Sequence, residues 1–226
     1  MVGCPVRDRA WILPEYLDRI YSLDYNRKDI VLGFIINDSL DDTRKILLDF
    51  KAKHKDKYRD IRLVRVDLSL PPDTRSSNRD LIYRGLACLR NYLLKLALEE
   101  DADYLFSIDS DILVPHDSLK VLLDSDKDII SGQIWNDRSK KFPNIMIKNN
   151  KGTYVHYKNF PRDRIFPCDV TGAVYLIKRP VIQSVKYSYH VQGEDIGFCQ
   201  DAASKGFTIW CNPYVKCDHI MDSTSI

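Results

Sequence analysis

Residues 104–114 read Tyr104-Leu105-Phe106-Ser107-Ile108-Asp109-Ser110-Asp111-Ile112-Leu113-Val114, and the rest of the chain takes its place around them. Four of the five residues before Asp109 are apolar or aromatic, the pattern of a strand buried on both faces. Asp109 and Asp111 then fall at that strand's carboxyl end, where open α/β sheets hold their ligands. Two acids one residue apart repel each other there and lose solvation. A divalent cation that prefers hard oxygen ligands relieves this conflict, and a diphosphate can complete its coordination. The bland alternative is a strand end running into a solvated acidic turn. Asp-x-Asp alone does not choose between them.

Outward from this stretch, the front half alternates strand and helix. Residues 2 to 6 read as a strand, and Pro14 stands at a helix start followed by Tyr16, Leu17, Ile20 and Leu23 at helical spacing. Residues 30 to 36 (IVLGFII) form a second strand, apolar throughout, and Asp41-Asp42 lead into a helix carrying Ile46, Leu47 and Phe50. Residues 61 to 66 (IRLVRV) alternate, as a more exposed third strand does. Residues 71 to 77 are a loop by composition, with Asn78 as a cap for a helix running to about Glu100. Its stripe is Leu81, Ile82, Leu86, Leu89, Leu93 and Leu96. These intervals predict βαβ units and a largely parallel sheet.

After another strand, residues 128 to 135, the texture changes. Asn, Lys and Gly become frequent, and short β-like segments appear at 144–147 and 153–157. Residues 168 to 177 (CDVTGAVYLI) read as a strand, 195 to 204 as a short helix and 207 to 211 as a strand, with an irregular end. The chain reads as one domain over residues 1–226.

The 226 residues are 44% hydrophobic and 29% charged, enough for a substantial single core. With 34 basic and 32 acidic side chains the net charge is +2, so the chain lacks the basic excess of a nucleic-acid surface. No run of about 18 apolar residues exists to span a bilayer. The start, Met-Val-Gly-Cys-Pro, reads as strand rather than signal peptide. The six cysteines form no CxxC pair and suit reduced, buried thiols in a cytoplasmic protein. Docking to the periphery of an acidic membrane is left open, without an amphipathic segment to support it. Cys211, Cys217 and His219 lie close in sequence, but structural zinc requires a fourth ligand.

In five places, taken in order, the chain resembles a GT-A-fold glycosyltransferase of the family 2 type. These are Cys4-Pro5-Val6-Arg7-Asp8-Arg9, Ile36-Asn37-Asp38-Ser39 with Asp41-Asp42-Thr43, Arg90-Asn91, Asp109-Ser110-Asp111 as the DxD motif, and Gly193-Glu194-Asp195-Ile196-Gly197-Phe198 as the Glu-Asp motif. The resemblance implies an α/β fold of Rossmann type, with a mostly parallel central sheet, helices on both faces and an irregular, β-rich back half. Residues 1–135 would bind the nucleotide sugar, a UDP- or GDP-sugar, and residues 136–226 the acceptor. That acceptor is a glycan, a lipid-linked sugar or a small molecule.

The same resemblance assigns roles. Pro5, Arg7, Asp38, Arg90, Asp109, Ser110 and Trp135 would contact the donor, and Asp111, Asp109 and His219 would hold Mn2+ or Mg2+. Asp195 would be the general base of an inverting transfer, with Glu194 binding the acceptor or serving as a second base. Read without the resemblance, Asp38 can equally cap the next helix, and Arg90 reads as a solvated arginine. Glu194-Asp195 reads as a pair of acids at a helix N-terminus. Asn37 stands where the family has Asp, which leaves the base preference open. Arg75 or Arg79 could also meet phosphates, because a guanidinium fork suits two oxygens at once. Trp135 suits either a sugar face or the core, and Thr171-Gly172 marks a close backbone approach. The competing readings are a Mg-dependent phosphohydrolase using Asp109 and Asp111, and a catalytically silent nucleotide-sugar or glycan-binding module. Against the first, Asp-x-Asp stands on about the fourth strand and lacks a following Gly-Thr. Against the second, a binding module does not need a base at Asp195. Nucleotidylyltransferases share the architecture but need a Gly-rich opening loop, and residues 4–11 contain no glycine.

Overall fold

The continuous apolar runs become the central strands. The structure, a computed structural model, describes residues 1–70 and 79–223. It opens with β1 (Val2–Val6) and α1 (Leu13–Tyr21), in whose first turn Pro14 sits without losing a helical hydrogen bond. β2 (Val31–Asn37) is buried along its whole length and is followed by α2 (Thr43–His54) and β3 (Asp60–Val66). α3 (Arg79–Glu99) leads into β4 (Tyr104–Ile108), β5 (Ile112–Leu113), α4 (Ser118–Asp124) and β6 (Ile129–Gln133). The back half adds β7 (Met146–Lys148), β8 (Tyr154–His156), β9 (Phe166–Pro167), β10 (Val174–Lys178) and α5 (Arg179–Ser184). It ends with α6 (Glu194–Ser204), β11 (Ile209–Lys216) and β12 (Asp218–His219).

Eight strands form one sheet in the order β3-β2-β1-β4-β10-β6-β11-β9. β3, β2, β1 and β4 pair in parallel, as do β6 and β11. β10 runs antiparallel between β4 and β6, with Tyr175 opposite Ser107 on one side and Ser131 on the other. The back half is therefore woven into the same sheet as the front. β3 is partly exposed because it lies at the sheet's edge.

Helices cover both faces. One core layer joins Leu13, Tyr16, Leu17 and Ile20 of α1, Leu47 of α2 and Leu119 and Leu122 of α4 to the sheet. The other joins Leu89, Leu93, Leu96 and Ala97 of α3 with Val181 and Ile182 of α5 and Ile196, Phe198 and Cys199 of α6. Truncating a buried leucine in such a layer to alanine costs about 2–5 kcal/mol. Among the described residues no helix is long and apolar enough to cross a membrane.

Several expectations change. The strand expected over 168–177 begins only at Val174, because Ala173 adopts a φ of +65° and turns the preceding chain out of the sheet. β11 runs on to Lys216 instead of stopping at Cys211, and α4 and α5 were not anticipated. Leu81 leaves the predicted stripe and is 46% exposed, whereas Ile82 and Leu86 line a cavity. The predicted loop at 71–77, Arg75 within it and the cap at Asn78 lie outside the described residues. All six cysteines are free thiols, five of them buried.

Candidate active site

A cavity of about 360 Å3 opens at the carboxyl ends of β1, β2 and β4. Its lining includes Pro5, Arg7, Arg9, Asn37, Leu70, Ile82, Arg90, Asp109, Ser110, Asp111, Glu194 and Asp195. Residues far apart in sequence meet here because parallel strands end on the same edge of the sheet.

Arg90 is the centre of the site. It is only 4% exposed, although the helical spacing of α3 placed it beside the stripe. Its Nη2 donates to both carboxylate oxygens of Asp109, at 3.0 and 3.1 Å, and its Nε donates to Glu194 Oε1 at 3.0 Å. Nε also lies 3.8 Å from Asp195 Oδ1. One buried cation thus serves three carboxylates, two from the Glu-Asp motif and one from the DxD. Nη1 has no hydrogen-bond partner among the described residues, so one strong donor in the site remains available.

Glu194 and Asp195 form the first turn of α6, where the helix dipole favours negative charge. Gly193 before them has φ +136°, a conformation that favours glycine. Asp195 Oδ1 accepts a hydrogen bond from Tyr175 at 3.1 Å, and Tyr175 also bonds the Tyr187 hydroxyl. Burial, and then the charges of Glu194 and Asp109, push the Asp195 carboxyl up to about 7, against the pull of Arg90. Gly172 provides the room for this side chain, since a Cβ there would lie 2.1 Å from Asp195 Oδ2.

The DxD acids differ. Burial raises the Asp109 carboxyl most, the negative Asp111 and Glu194 raise it further, and Arg90 opposes both. Asp111 is held from the other side by Arg9 Nη2, 3.2 Å from its Oδ2. The backbone of Asp111 accepts from Ile220, and His219 pairs with Ile112 across the β5–β12 ladder. His219 Nδ1 meets the Trp135 carbonyl oxygen at 3.2 Å. A carbonyl only accepts, so Nδ1 carries the proton and Nε2 keeps the lone pair a metal needs. Among the described residues no three His, Cys, Asp or Glu side chains stand as a ready-made metal cluster. The donor set of hard oxygens with one imidazole still fits Mn2+ or Mg2+. The charge that raises Asp109 is the charge such a cation would offset.

Asp38 falls beside the main cavity, in a separate cleft with Ser39, Asp41, Arg44, Lys45 and Arg65. Its φ is +45°, and its carboxylate accepts from Asn37 at 2.7 Å and Leu70 N at 3.2 Å. Burial opposes its charge, but hydrogen bonds with Asp67, Leu70 and Asn37 prevail and lower its pKa. It braces the loop after β3, while Asn37, the departure from the family pattern, lines the main cavity. Arg7 reaches Leu70 O at 2.9 Å and lies 3.6 Å from Asp8. Trp135 packs 6.1 Å from Phe160 and stands outside the main cavity's lining, as does His219. Arg9, Tyr175 and Tyr187 escaped the sequence reading. Arg9 was legible as part of the opening turn, but Tyr175 sits in an apolar strand and reads as core.

The sheet order with β10 reversed between β4 and β6, the DxD at a central strand's end and the Glu-Asp pair opening a late helix define the GT-A class of glycosyltransferases. The family model of Anp1 matches residues 1–152, and the chain belongs to that family, a GT-A-like mannosyltransferase family. No curated protein matches the chain. Among solved structures, it is similar to S. aureus TarS 1-349 at 15% identity and a TM-score of 0.60, covering 96% of this chain and 59% of that one. GalNAc-T7, solved with UDP, GalNAc and Mn2+, matches at 12% identity and a TM-score of 0.69, over 96% of this chain and 43% of that one. The mannosyltransferase PcManGT from Pyrobaculum calidifontis, in complex with GDP-Man and Mn2+, matches at 17% and 0.58, over 98% and 56%. These structures share the fold, and the chain spans about three fifths or less of each of them.

Proposed function

We propose that the chain is a metal-dependent inverting glycosyltransferase that moves a hexose from a nucleoside diphosphate sugar to an acceptor hydroxyl. The observation that carries this reading is the convergence of Asp109, Glu194 and Asp195 around the buried Arg90, with Asp111, held by Arg9, lining the same cavity. GDP-mannose is the donor of choice, since Anp1 is a mannosyltransferase family and PcManGT carries GDP-Man. Residues 1–135 hold the donor, and residues 136–226 shape the acceptor side.

Asp111, with Asp109 and His219, would hold Mn2+ or Mg2+. When bound, the cation offsets charge on the departing diphosphate. Arg90 Nη1 and the nearby Arg9 offer donors to the nucleotide sugar's oxygens, and Asn37 lies in the wall of the same cavity. The Trp135 carbonyl oxygen meets His219 Nδ1, which ties Trp135 to the β5–β12 pair beside the proposed metal. Asp195 takes the proton of the acceptor hydroxyl while that oxygen bonds to the anomeric carbon. The bond from that carbon to the diphosphate oxygen breaks, and its electron pair leaves with the nucleotide. A carboxyl at about 7 is suited to this work, because a base is most effective when its pKa lies near the working pH.

The test is thermal unfolding with GDP-mannose, UDP-sugars and the free nucleotides, with and without Mn2+, on the natural protein and on Asp111→Ala. A ligand at about 100 times its Kd adds roughly 2.7 kcal/mol of stability. A shift that needs both Mn2+ and Asp111 supports the reading. No shift with any nucleotide overturns it.

A further inference from the structure

Behind Asp195 lies a buried pair of phenols that the transfer reaction as described does not use. Tyr175 is fully buried on β10, flanked in register by Ser107 of β4 and Ser131 of β6. Cross-strand partners point to the same face of a sheet, so these two small side chains leave space for the Tyr175 ring. Its hydroxyl donates to Asp195 Oδ1. A phenol has a single proton, so the contact with Tyr187 requires the Tyr187 hydroxyl to donate to the Tyr175 oxygen. The order is therefore fixed as Tyr187 to Tyr175 to Asp195.

Tyr187 is itself held on three sides. Asn91 of α3 donates to its carbonyl oxygen and accepts from its N–H, both at 2.9 Å. Its ring stacks on Phe198 of α6, with centroids 4.2 Å apart and planes 15° apart. The Arg90 guanidinium carbon lies 5.7 Å from its ring centre. Asn91 and Arg90 are neighbours on α3, so one turn of helix fixes both the charge partner and the phenol partner of the base.

We propose that Tyr175, backed by Tyr187, is a positioning residue that locks one carboxylate oxygen of Asp195. The bare Cα of Gly172 sets the position of the other oxygen. This rests on Asp195 being the base. A flexible carboxylate would spend much of its time misaligned with the acceptor hydroxyl, and loss of alignment alone can cost about 100-fold in rate.

The experiment compares Tyr175→Phe, the pair Tyr175→Phe with Tyr187→Phe, and Asp195→Asn. GDP release from GDP-mannose is followed with Mn2+ and methyl mannoside, and a crystal structure of Tyr175→Phe is solved alongside. Tyr175→Phe is expected to lower kcat by about 10- to 100-fold with the donor KM and the donor thermal shift unchanged. Its structure is expected to show the Asp195 carboxylate rotated. The double phenylalanine variant leaves no stranded hydroxyl, so it should recover thermal stability without recovering kcat. Adding Tyr175→Phe to Asp195→Asn should cost nothing further. An unmoved Asp195 in the Tyr175→Phe structure, full kcat, or kcat recovered together with stability in the double variant each overturns the proposal. Full turnover by Asp195→Asn is a different failure, since it removes the base and the reading on which the proposal rests.

Discussion

Arg90 grips Asp109 through a single nitrogen, Nη2, which contacts both carboxylate oxygens at 3.0 and 3.1 Å, while Nε of the same guanidinium holds Glu194. This ties the DxD motif of the sheet to the first turn of α6, 85 residues later in the chain. The two acidic motifs of the site therefore share one counterion. Arg90→Ala should leave the buried Glu194 and the half-buried Asp109 and Asp195 without it. Breaking a buried ion pair in this way costs about 3–5 kcal/mol. Urea unfolding should show that loss, and a variant as stable as the natural protein would deny the arginine its central place. Arg90→Lys should recover only part of it, because an ammonium lacks the planar fork that serves both motifs.

The Asp195 carboxyl, raised by burial and neighbouring charge to about 7, makes stability depend on pH. Unfolded, the same group titrates near the ordinary value of about 3.9. Between these limits the folded protein binds more protons than the unfolded chain. The stabilising contribution is complete below about pH 4 and is lost as pH rises through 7, at no more than about 1.4 kcal/mol per pH unit. Asp195→Asn should flatten this slope and be the more stable protein at pH 8. Guanidinium unfolding from pH 4 to 9 on both proteins checks it, and parallel profiles would refute it.

Catalysis should follow the opposite limb. The base acts when ionised, so kcat/KM should climb with pH through a midpoint near 7 in the free enzyme. A profile flat from pH 5 to 9 would place the base elsewhere.

Gly172→Ala introduces a Cβ 2.1 Å from Asp195 Oδ2, too close for either atom to remain in place. Overpacking of this kind costs about 1–3 kcal/mol. Turnover should fall steeply while the Mn2+-dependent shift with nucleotide persists, because Gly172 is absent from the lining of the cavity. Loss of both together would place Gly172 in donor binding.

His219 presents Nε2 because its Nδ1 proton is held by the Trp135 carbonyl. His219→Gln should raise the Mn2+ concentration needed for half-maximal nucleotide-dependent stabilisation by about tenfold or more. EDTA should abolish that stabilisation in both proteins. An unchanged Mn2+ requirement would remove His219 from the metal site.

The helical spacing of α3 misplaced Arg90 for a physical reason. Periodicity ranks positions by apolarity, and an arginine beside a stripe reads as solvated unless its partners are known. Those partners, Asp109 and Glu194, lie 19 and 104 residues away in the chain. Tyr175 shows the reverse error, since a phenol inside an apolar strand reads as core until the sheet register puts Asp195 within reach. The reversed direction of β10 was equally hidden, because a strand carries the same alternation in either direction.

The order of residues alone specifies the front-half strands, their helices and the DxD at a central strand's carboxyl end. Continuous apolar runs allow few other burials, and a buried strand must release its acids where it ends. It also determined Glu194-Asp195 at the start of a late helix, since Gly193 breaks the chain there. The folded arrangement is what makes Arg90 the shared counterion, brings Tyr175 to Asp195 and leaves Gly172 to clear space for it. Those are contacts between elements distant in sequence. They arise from packing and register, which no local pattern of residues encodes.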